Sequence, residues 1–160
     1  MVSSSSFSCE VRSAEQMEAL GFATKQAISN GARIYLTGQL AAGKTVFCRG
    51  YLRCAGYSGK VKSPTFTIIE SYSLSDIDIH HFDLYRIEDP IELDFIGLDQ
   101  YFQSGNHMLV EWSVNGEGRL PVPDLDVEIV MGTEPNRRDI NMVAKSELGL
   151  IVVTRLSKAF

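Results

Sequence analysis

A chain of 160 residues is the length of one domain and can bury a core without disulfide or metal staples, so a multidomain assembly is excluded. Its 44% apolar and 22% charged residues match ordinary globular composition and exclude both wholesale disorder and a fibrous repeat. Fifteen Lys and Arg against twenty Asp and Glu leave a formal charge of −5, which argues against a protein that grips nucleic-acid phosphates over a broad face and leaves room only for a local basic patch.

The chain is read as a single domain over 1–160, with residues 1–6 a flexible serine-rich tail. Phe7, Cys9 and Val11 alternate with polar residues and predict a short half-buried strand. Ser13 followed by Gln16 resembles a capping box, and Met17, Leu20, Thr24, Ala27 and Ile28 recur at helical spacing until Asn30-Gly31, where the first helix is expected to close. Arg33 to Thr37 reads as a strand running into Gly38, and a second helix is predicted from Lys44 to about Ala55. After a loop over 57–64, β-branched and aromatic residues predict strands over 65–72 and 77–84. Asp89, Pro90 and Glu92 have the order of an N-cap, a first-turn proline and a capping-box partner, so a short helix is expected there, ended by Gly97. Met108 to Trp112 is a buried-strand run; a proline-punctuated loop then leads to strands over 125–131, near 140–144 and near 148–154. Strands alternating with helices in the first 115 residues, then closely spaced strands, predict an α/β fold: a three-layer sandwich around a mainly parallel sheet with antiparallel C-terminal strands.

The sharpest signal is Gly38-Gln-Leu-Ala-Ala-Gly43-Lys44-Thr45, which satisfies G-x-x-x-x-G-K-[ST] between a predicted strand and a predicted helix. In a chain of this composition the pattern arises by chance on the order of 0.005 times. Such a loop wraps nucleotide phosphates with backbone N–H groups at a helix N-terminus. Its glycines permit the tight turn, Lys44 reaches the β and γ phosphates, and the Thr45 hydroxyl can ligate Mg²⁺. Glu111, at the end of the apolar run Met108 to Trp112, is the expected acidic partner for the metal; the bland alternative is a solvated strand-end glutamate.

The segment 76–86 invites a transition-metal reading, yet alternation puts Asp76, Asp78 and His80 on one strand face and His81 and Asp83 on the other, so the histidines cannot act as a neighbouring pair. Asp76, Asp78 and His80 are expected on a solvated face. Asp83 closes a buried-looking run and is the candidate to orient an attacking or metal-bound water. Arg49, Arg53, Lys60 and Lys62 could form a local basic patch or simply a solvated helix face and loop. A small GTPase is a rival reading, because Asp94 to Gly97 matches D-x-x-G and Asn136 to Asp139 loosely matches N-K-x-D; both lie in the wrong context, a helix and a hairpin turn.

Taken in order, LTGQLAAGKTVFCRG, VKSPTFTIIESY, HHFDLYRIEDPIELDFIGLDQYF and LVEWSVNGEGRLPVPDLDVEI resemble the TsaE family, the small ATPase of bacterial tRNA threonylcarbamoyladenosine biosynthesis, over nearly the whole chain. The resemblance implies ATP and Mg²⁺ on the loop Gly38, Ala41, Ala42, Gly43, Lys44, Thr45 and Val46, with Thr45 and Glu111 at the metal. It implies that Ser63-Pro64-Thr65 is a switch-like segment near the γ-phosphate, that Lys44, Thr65 and Asp83 serve catalysis, and that Trp112 lies by the nucleotide; Ala14 and Arg137 are the candidates for contact with adenine. It further implies partners, TsaB and TsaD, with tRNA engaged indirectly. ATP hydrolysis would reset that complex between turnovers, and the alternative is a nucleotide-dependent binding module with negligible hydrolysis.

Three cysteines without C-x-x-C spacing, no apolar run of membrane-spanning length and no basic-then-apolar leader predict a soluble cytoplasmic protein with no membrane attachment. The loop departs from the family's usual residues at Gln39, Ala41 and Val46. Where glycine is usual at position 41, an alanine held at positive φ costs on the order of 1 kcal/mol, so Ala41→Gly is expected to tighten ATP binding.

Overall fold

The computed structural model describes residues 5–160, and the part of the expected flexible tail at 1–4 lies outside them. Residues 5 and 6 are not tail: the Ser5 carbonyl accepts a hydrogen bond from Ala144 N–H, and Ser6 opens strand β1 (Ser6–Val11) opposite Val143. Along β1, Phe7 and Val11 are buried while Ser8 and Glu10 are exposed, the alternation that a half-buried edge strand requires.

Six further strands follow: β2 (Ala32–Thr37), β3 (Ile69–Leu74), β4 (Ile77–Asp83), β5 (His107–Glu111), β6 (Leu125–Met131) and β7 (Arg138–Ala144). They form one sheet in the order β1-β7-β6-β2-β5-β4-β3. The centre β6-β2-β5-β4 is parallel, and antiparallel pairs flank it on both sides, β6-β7-β1 on one and β4-β3 on the other. The antiparallel extension thus includes the first strand of the chain as well as the later ones.

Helices α1 (Ala14–Gln26), α2 (Lys44–Cys54) and α3 (Glu147–Ala159) all pack on one face, where Leu20, Phe47, Tyr51, Leu52, Val152 and Val153 meet Ile34, Leu36, Ile79, Leu109 and Met142 of the sheet. Among the described residues the opposite layer holds no α-helix. Tyr35, Phe82, Met108 and Val110 on that face are covered by 3-10 turns at Pro90–Phe95, Leu98–Gln100 and Ser113–Gly116, with Leu93 inserted from the first of them. The Asp89 cap forms as expected, with Asp89 accepting from Ile91 N–H and Glu92 accepting from Asp89 N–H, but it starts a 3-10 helix.

Helices α1 and α2 cross at two glycines. A Cβ on Gly21 would lie 2.0 Å from the Phe47 carbonyl oxygen, and one on Gly50 would lie 1.9 Å from that of Glu18, so only glycine permits this approach. Arg49 and Arg53 add a clamp across the same crossing: both reach Glu18, at 3.1 and 3.8 Å, and Arg53 also donates to the carbonyls of Tyr57 and Gly59. These two cations therefore fasten α2 to α1 and to its own C-terminal loop, so of the four residues read as either a basic patch or a solvated face, Arg49 and Arg53 are engaged in internal pairing.

Three predicted elements differ from the structure. Helix α1 stops at Gln26, because Ala27 and Ile28 are buried by a turn in which Ala27 N–H bonds Ala23 and Ile28 N–H bonds Lys25; the apolar spacing outlasts the helix. The strand expected over 65–72 begins only at Ile69, since residues 64–68 close a turn with Ile68 N–H on the Pro64 carbonyl (2.7 Å) and Ile68 at φ 70°. The last predicted strand, 148–154, is helix α3. Its Val-rich sequence favours strand locally, but Ser146 caps Gly149 N–H, and Gly149, Val152, Val153 and Leu156 are buried at helical spacing.

His107, at the start of β5, is buried beneath α2, and its Nδ1 lies 2.7 Å from the Tyr51 hydroxyl. Burial lowers its pKa from 6.5 to about 4, so the folded state keeps the ring neutral where the unfolded chain would protonate it. The unfolded state binds the extra proton between these values, and stability falls as pH falls through that window; burial shifts His80 in the same direction. Urea unfolding should show the wild-type chain losing about 2 kcal/mol between pH 7 and pH 5, with a clearly flatter dependence in His107→Asn; an equal loss in both would assign the proton elsewhere.

Candidate nucleotide-phosphate site

The loop 38–43 leaves β2 at the C-terminal edge of the parallel centre and turns into the first residue of α2. Gly43 caps that helix at φ 116°, a conformation that favours glycine, and Ala41 takes φ 65°. Ala42 N–H closes a turn on the Gln39 carbonyl, and the Ala42 carbonyl accepts from Arg138 Nε at 3.0 Å, so β7 holds the loop from outside. Lys44 is buried and its ammonium donates to the Gly38 and Gln39 carbonyls at 2.6 and 2.8 Å, while Nζ stands 4.7 Å from the centre of the Trp112 ring. Burial lowers the Lys44 pKa, and the facing carboxylates of Glu111 and Asp83 oppose that shift.

Those carboxylates sit side by side because Asp83 and Glu111 are register partners at the ends of β4 and β5, and Leu36 of β2 faces Glu111 on its other side. Both acids are almost completely buried. Glu111 Oε2 accepts from Thr45 Oγ1 at 3.0 Å and lies 2.6 Å from His81 Nε2. Asp83 Oδ2 accepts from Ser63 and Thr65 hydroxyls at 2.5 and 3.1 Å, and Oδ1 accepts from Tyr85 N–H at 2.9 Å. The Ser63 to Thr65 segment is thus latched onto Asp83, which explains why Thr65 is not part of a strand.

A cavity of about 290 Å³ opens between these groups, lined by residues 40–46 together with Ser63, Thr65, Asp83, Glu111 and Trp112. It gathers Ala41, Ala42, Gly43, Lys44, Thr45, Val46, Thr65, Asp83, Glu111 and Trp112 from the sequence reading. Gly38 stays behind the loop, where a Cβ would meet the Ile129 carbonyl oxygen at 2.7 Å; its own carbonyl binds Lys44. Ala14 opens α1 and Arg137 pairs with Glu10 and Asp139, and neither lines the cavity. Asp94 bonds Arg119, and Asn136 and Asp139 lie away from the cavity, so neither GTPase-like match faces the loop. His80 is buried and bonded to Ser71 (2.7 Å), so of the expected solvated set only Asp76 and Asp78 are exposed.

Two contacts escaped the sequence reading. Arg138 carries no sequence signal, since its partner is a backbone carbonyl. His81 did carry one: alternation put it on the Asp83 face, and only its distance to Glu111 was hidden. Cys48, His81 and Glu111 bring potential ligand atoms within 4.8 Å of one another, a donor set that suits a soft metal. A ligating histidine normally gives its other N–H to a partner, whereas His81 Nδ1 is buried with none, and burial holds the Cys48 thiol pKa well above its usual range. The oxygen set of Thr45 and Glu111 fits a hard cation instead.

The profile of the family described as "Threonylcarbamoyl adenosine biosynthesis protein TsaE" matches residues 11–140. The chain is 43% identical over 124 residues to the tRNA threonylcarbamoyladenosine biosynthesis protein TsaE of Haemophilus influenzae, covering 78% of this chain and 77% of that one. It is 35% identical over 130 residues to the protein of the same name in Bacillus subtilis, covering 81% and 80%. Its fold superposes on the crystal structure of Bacillus subtilis YdiB with a TM-score of 0.81, at 28% identity and over 96% and 95% of the two chains, an NTPase-like likeness that extends beyond the loop to the whole sheet. No helix among the described residues is long and apolar enough to cross a membrane. With the family profile spanning the loop, the latched segment and both buried carboxylates, the chain belongs to the TsaE family of tRNA threonylcarbamoyladenosine biosynthesis.

Proposed function

We propose that the chain is a cytoplasmic ATPase that binds ATP with Mg²⁺ at the loop 38–45 and, with TsaB and TsaD, drives threonylcarbamoylation of adenosine 37 in tRNA by resetting that complex between turnovers. The observation that carries this reading is the convergence of Lys44, Thr45, Asp83 and Glu111 on one cavity at the C-terminal ends of the parallel strands. The family supports the tRNA modification; nucleotide, metal and partners follow from the site chemistry and the resemblance.

In this reading the N–H groups at the start of α2 and the Lys44 ammonium hold the phosphates, exchanging the Gly38 and Gln39 carbonyls for phosphate oxygens. Two buried carboxylates face a single buried ammonium, so a triphosphate brought among them needs a divalent cation to offset the repulsion. Thr45 and Glu111 would hold Mg²⁺; the hydroxyl gives its proton to Glu111 and keeps lone pairs for the ion. When bound, that ion neutralises charge developing on the phosphate oxygens. Asp83 is the group to orient water, but its oxygens are engaged by Ser63, Thr65 and Tyr85. The Ser63 to Thr65 latch would have to release before Asp83 can accept from water, which would make turnover slow in the isolated chain and open to stimulation by partners. Trp112 walls the cavity beside Lys44 and is backed by Tyr85, the two ring centres lying 5.1 Å apart.

Steady-state ATP hydrolysis, measured on the chain alone and with TsaB and TsaD, should be slow alone and stimulated by the pair. Lys44→Ala should lower it by about 100-fold or more. No turnover above that variant in either mixture would leave a nucleotide-controlled docking module, and no ATP binding at all would sink the proposal.

Ala41 takes φ 65°, the left-handed conformation that the expectation drawn from the sequence supposed. Ala41→Gly should raise the unfolding free energy by about 1 kcal/mol or less, the strain relief being partly offset by the greater freedom of glycine in the unfolded chain. On the expectation drawn from the sequence, titration calorimetry should show tighter ATP binding in this variant; an unchanged dissociation constant would place the strain in folding alone.

A further inference from the structure

His81 is fully buried in the middle of β4, between Glu70 of β3 and Leu109 of β5 in register. Among the described residues its side chain has one hydrogen-bond partner, Glu111 through Nε2, and Nδ1 is buried with none. A proton on Nδ1 would leave an N–H donor buried and unsatisfied, which costs about 1–3 kcal/mol, whereas a bare ring nitrogen there costs less. The proton therefore sits on Nε2 and is donated to Glu111 Oε2. The same oxygen takes the Thr45 hydroxyl, so both protein donors converge on Oε2. Among the described residues Glu111 Oε1 receives no hydrogen bond, and Glu111 lines the cavity.

We infer that His81 is a positioning residue for the cation: donating from Nε2, it pins Oε2 of Glu111 and leaves Oε1 as the oxygen presented to a divalent ion. The inference rests on the proposed nucleotide site and deepens it. A carboxylate with two similar oxygens on a flexible stem can rotate; one anchored by a rigid ring from the neighbouring strand cannot, and the entropy of ordering it is met in folding and not in metal binding. The ring also fills the space where water would otherwise compete for Oε2. Loss of His81 should thus weaken the metal-dependent part of nucleotide binding and spare the metal-free part, because the ring's hydrogen bond goes to Glu111 and the Lys44 ammonium is held by the Gly38 and Gln39 carbonyls.

The test titrates the full-length chain with a fluorescent, mant-labelled ATP at several Mg²⁺ concentrations and with EDTA. In wild type Mg²⁺ should raise the affinity. In His81→Phe the Mg²⁺-dependent gain should fall about tenfold with metal-free affinity within twofold of wild type, and His81→Gln, which restores an N–H at the Nε2 position, should recover most of the gain. Equal losses with and without Mg²⁺, or an unaltered gain in His81→Phe, would overturn the positioning role and leave the nucleotide site standing. A wild-type chain that binds no labelled ATP under either condition would overturn the nucleotide reading and this inference with it. Since Phe beside a buried carboxylate can compromise folding, the ring is also read in the wild-type chain: long-range ¹H–¹⁵N NMR should find Nε2 protonated and Nδ1 bare at neutral pH. A proton on Nδ1 would refute the inference whatever the variants do.

Discussion

One carboxylate oxygen joins the three elements that make the site. Glu111 Oε2 receives hydrogen bonds from Thr45 in the first turn of α2 and from His81 in β4, while Glu111 itself ends β5. An ionised carboxylate buried this deeply would be strongly destabilising without donors. Two donors and the nearby Lys44 charge compensate it, so the loop, the helix start and two strand ends are held in one arrangement by a common requirement to satisfy one buried acid.

The rigid side of the molecule faces this acid from one direction. The glycine crossing of α1 and α2, with Glu18 clamped by Arg49 and Arg53, fixes where α2 begins, and the Arg138 contact fixes the loop that precedes it. On the opposite face of the sheet the cover consists of 3-10 turns, and here the backbone adopts costly conformations: Trp112 at φ 59° and Ile68 at φ 70°. Each left-handed residue of this kind costs about 1–2 kcal/mol. At Trp112 the strain aims the indole across Lys44 and against Tyr85; at Ile68 it turns the chain so that Ser63 and Thr65 reach Asp83. Among the described residues, Ala41 in the loop and Ser75 between β3 and β4 are the other non-glycine residues at positive φ.

The two acids differ in how they are held. Glu111 is tied to a helix and a strand, neither of which can move without disturbing the core. Asp83 is tied to the hydroxyls of a loop whose neighbour Phe66 is 83% exposed, with the Arg86 guanidinium 5.4 Å from its ring. The fixed acid suits an ion site and the latched acid suits a gated one. Neighbouring register positions on two parallel strands thereby acquire separate roles from the stiffness of their partners.

The sequence by itself determined the phosphate-type loop, the α/β class, the capping residues Ser13 and Asp89, and the two acids at strand ends. These depend on residue type at fixed short spacing, and spacing is what a sequence displays. It misassigned 148–154, because consecutive β-branched residues carry strand propensity while the face they bury is set by sheet strands far away in the chain. It misplaced the start of β3, because the hydroxyls of Ser63 and Thr65 are drawn to an acid 20 and 18 residues on. It treated Arg49 and Arg53 as available, because Glu18 lies a helix away. Only the tertiary structure decided that His81 meets Glu111, 30 residues distant, since strand alternation fixes a face and the parallel pairing of β4 with β5 fixes the neighbour.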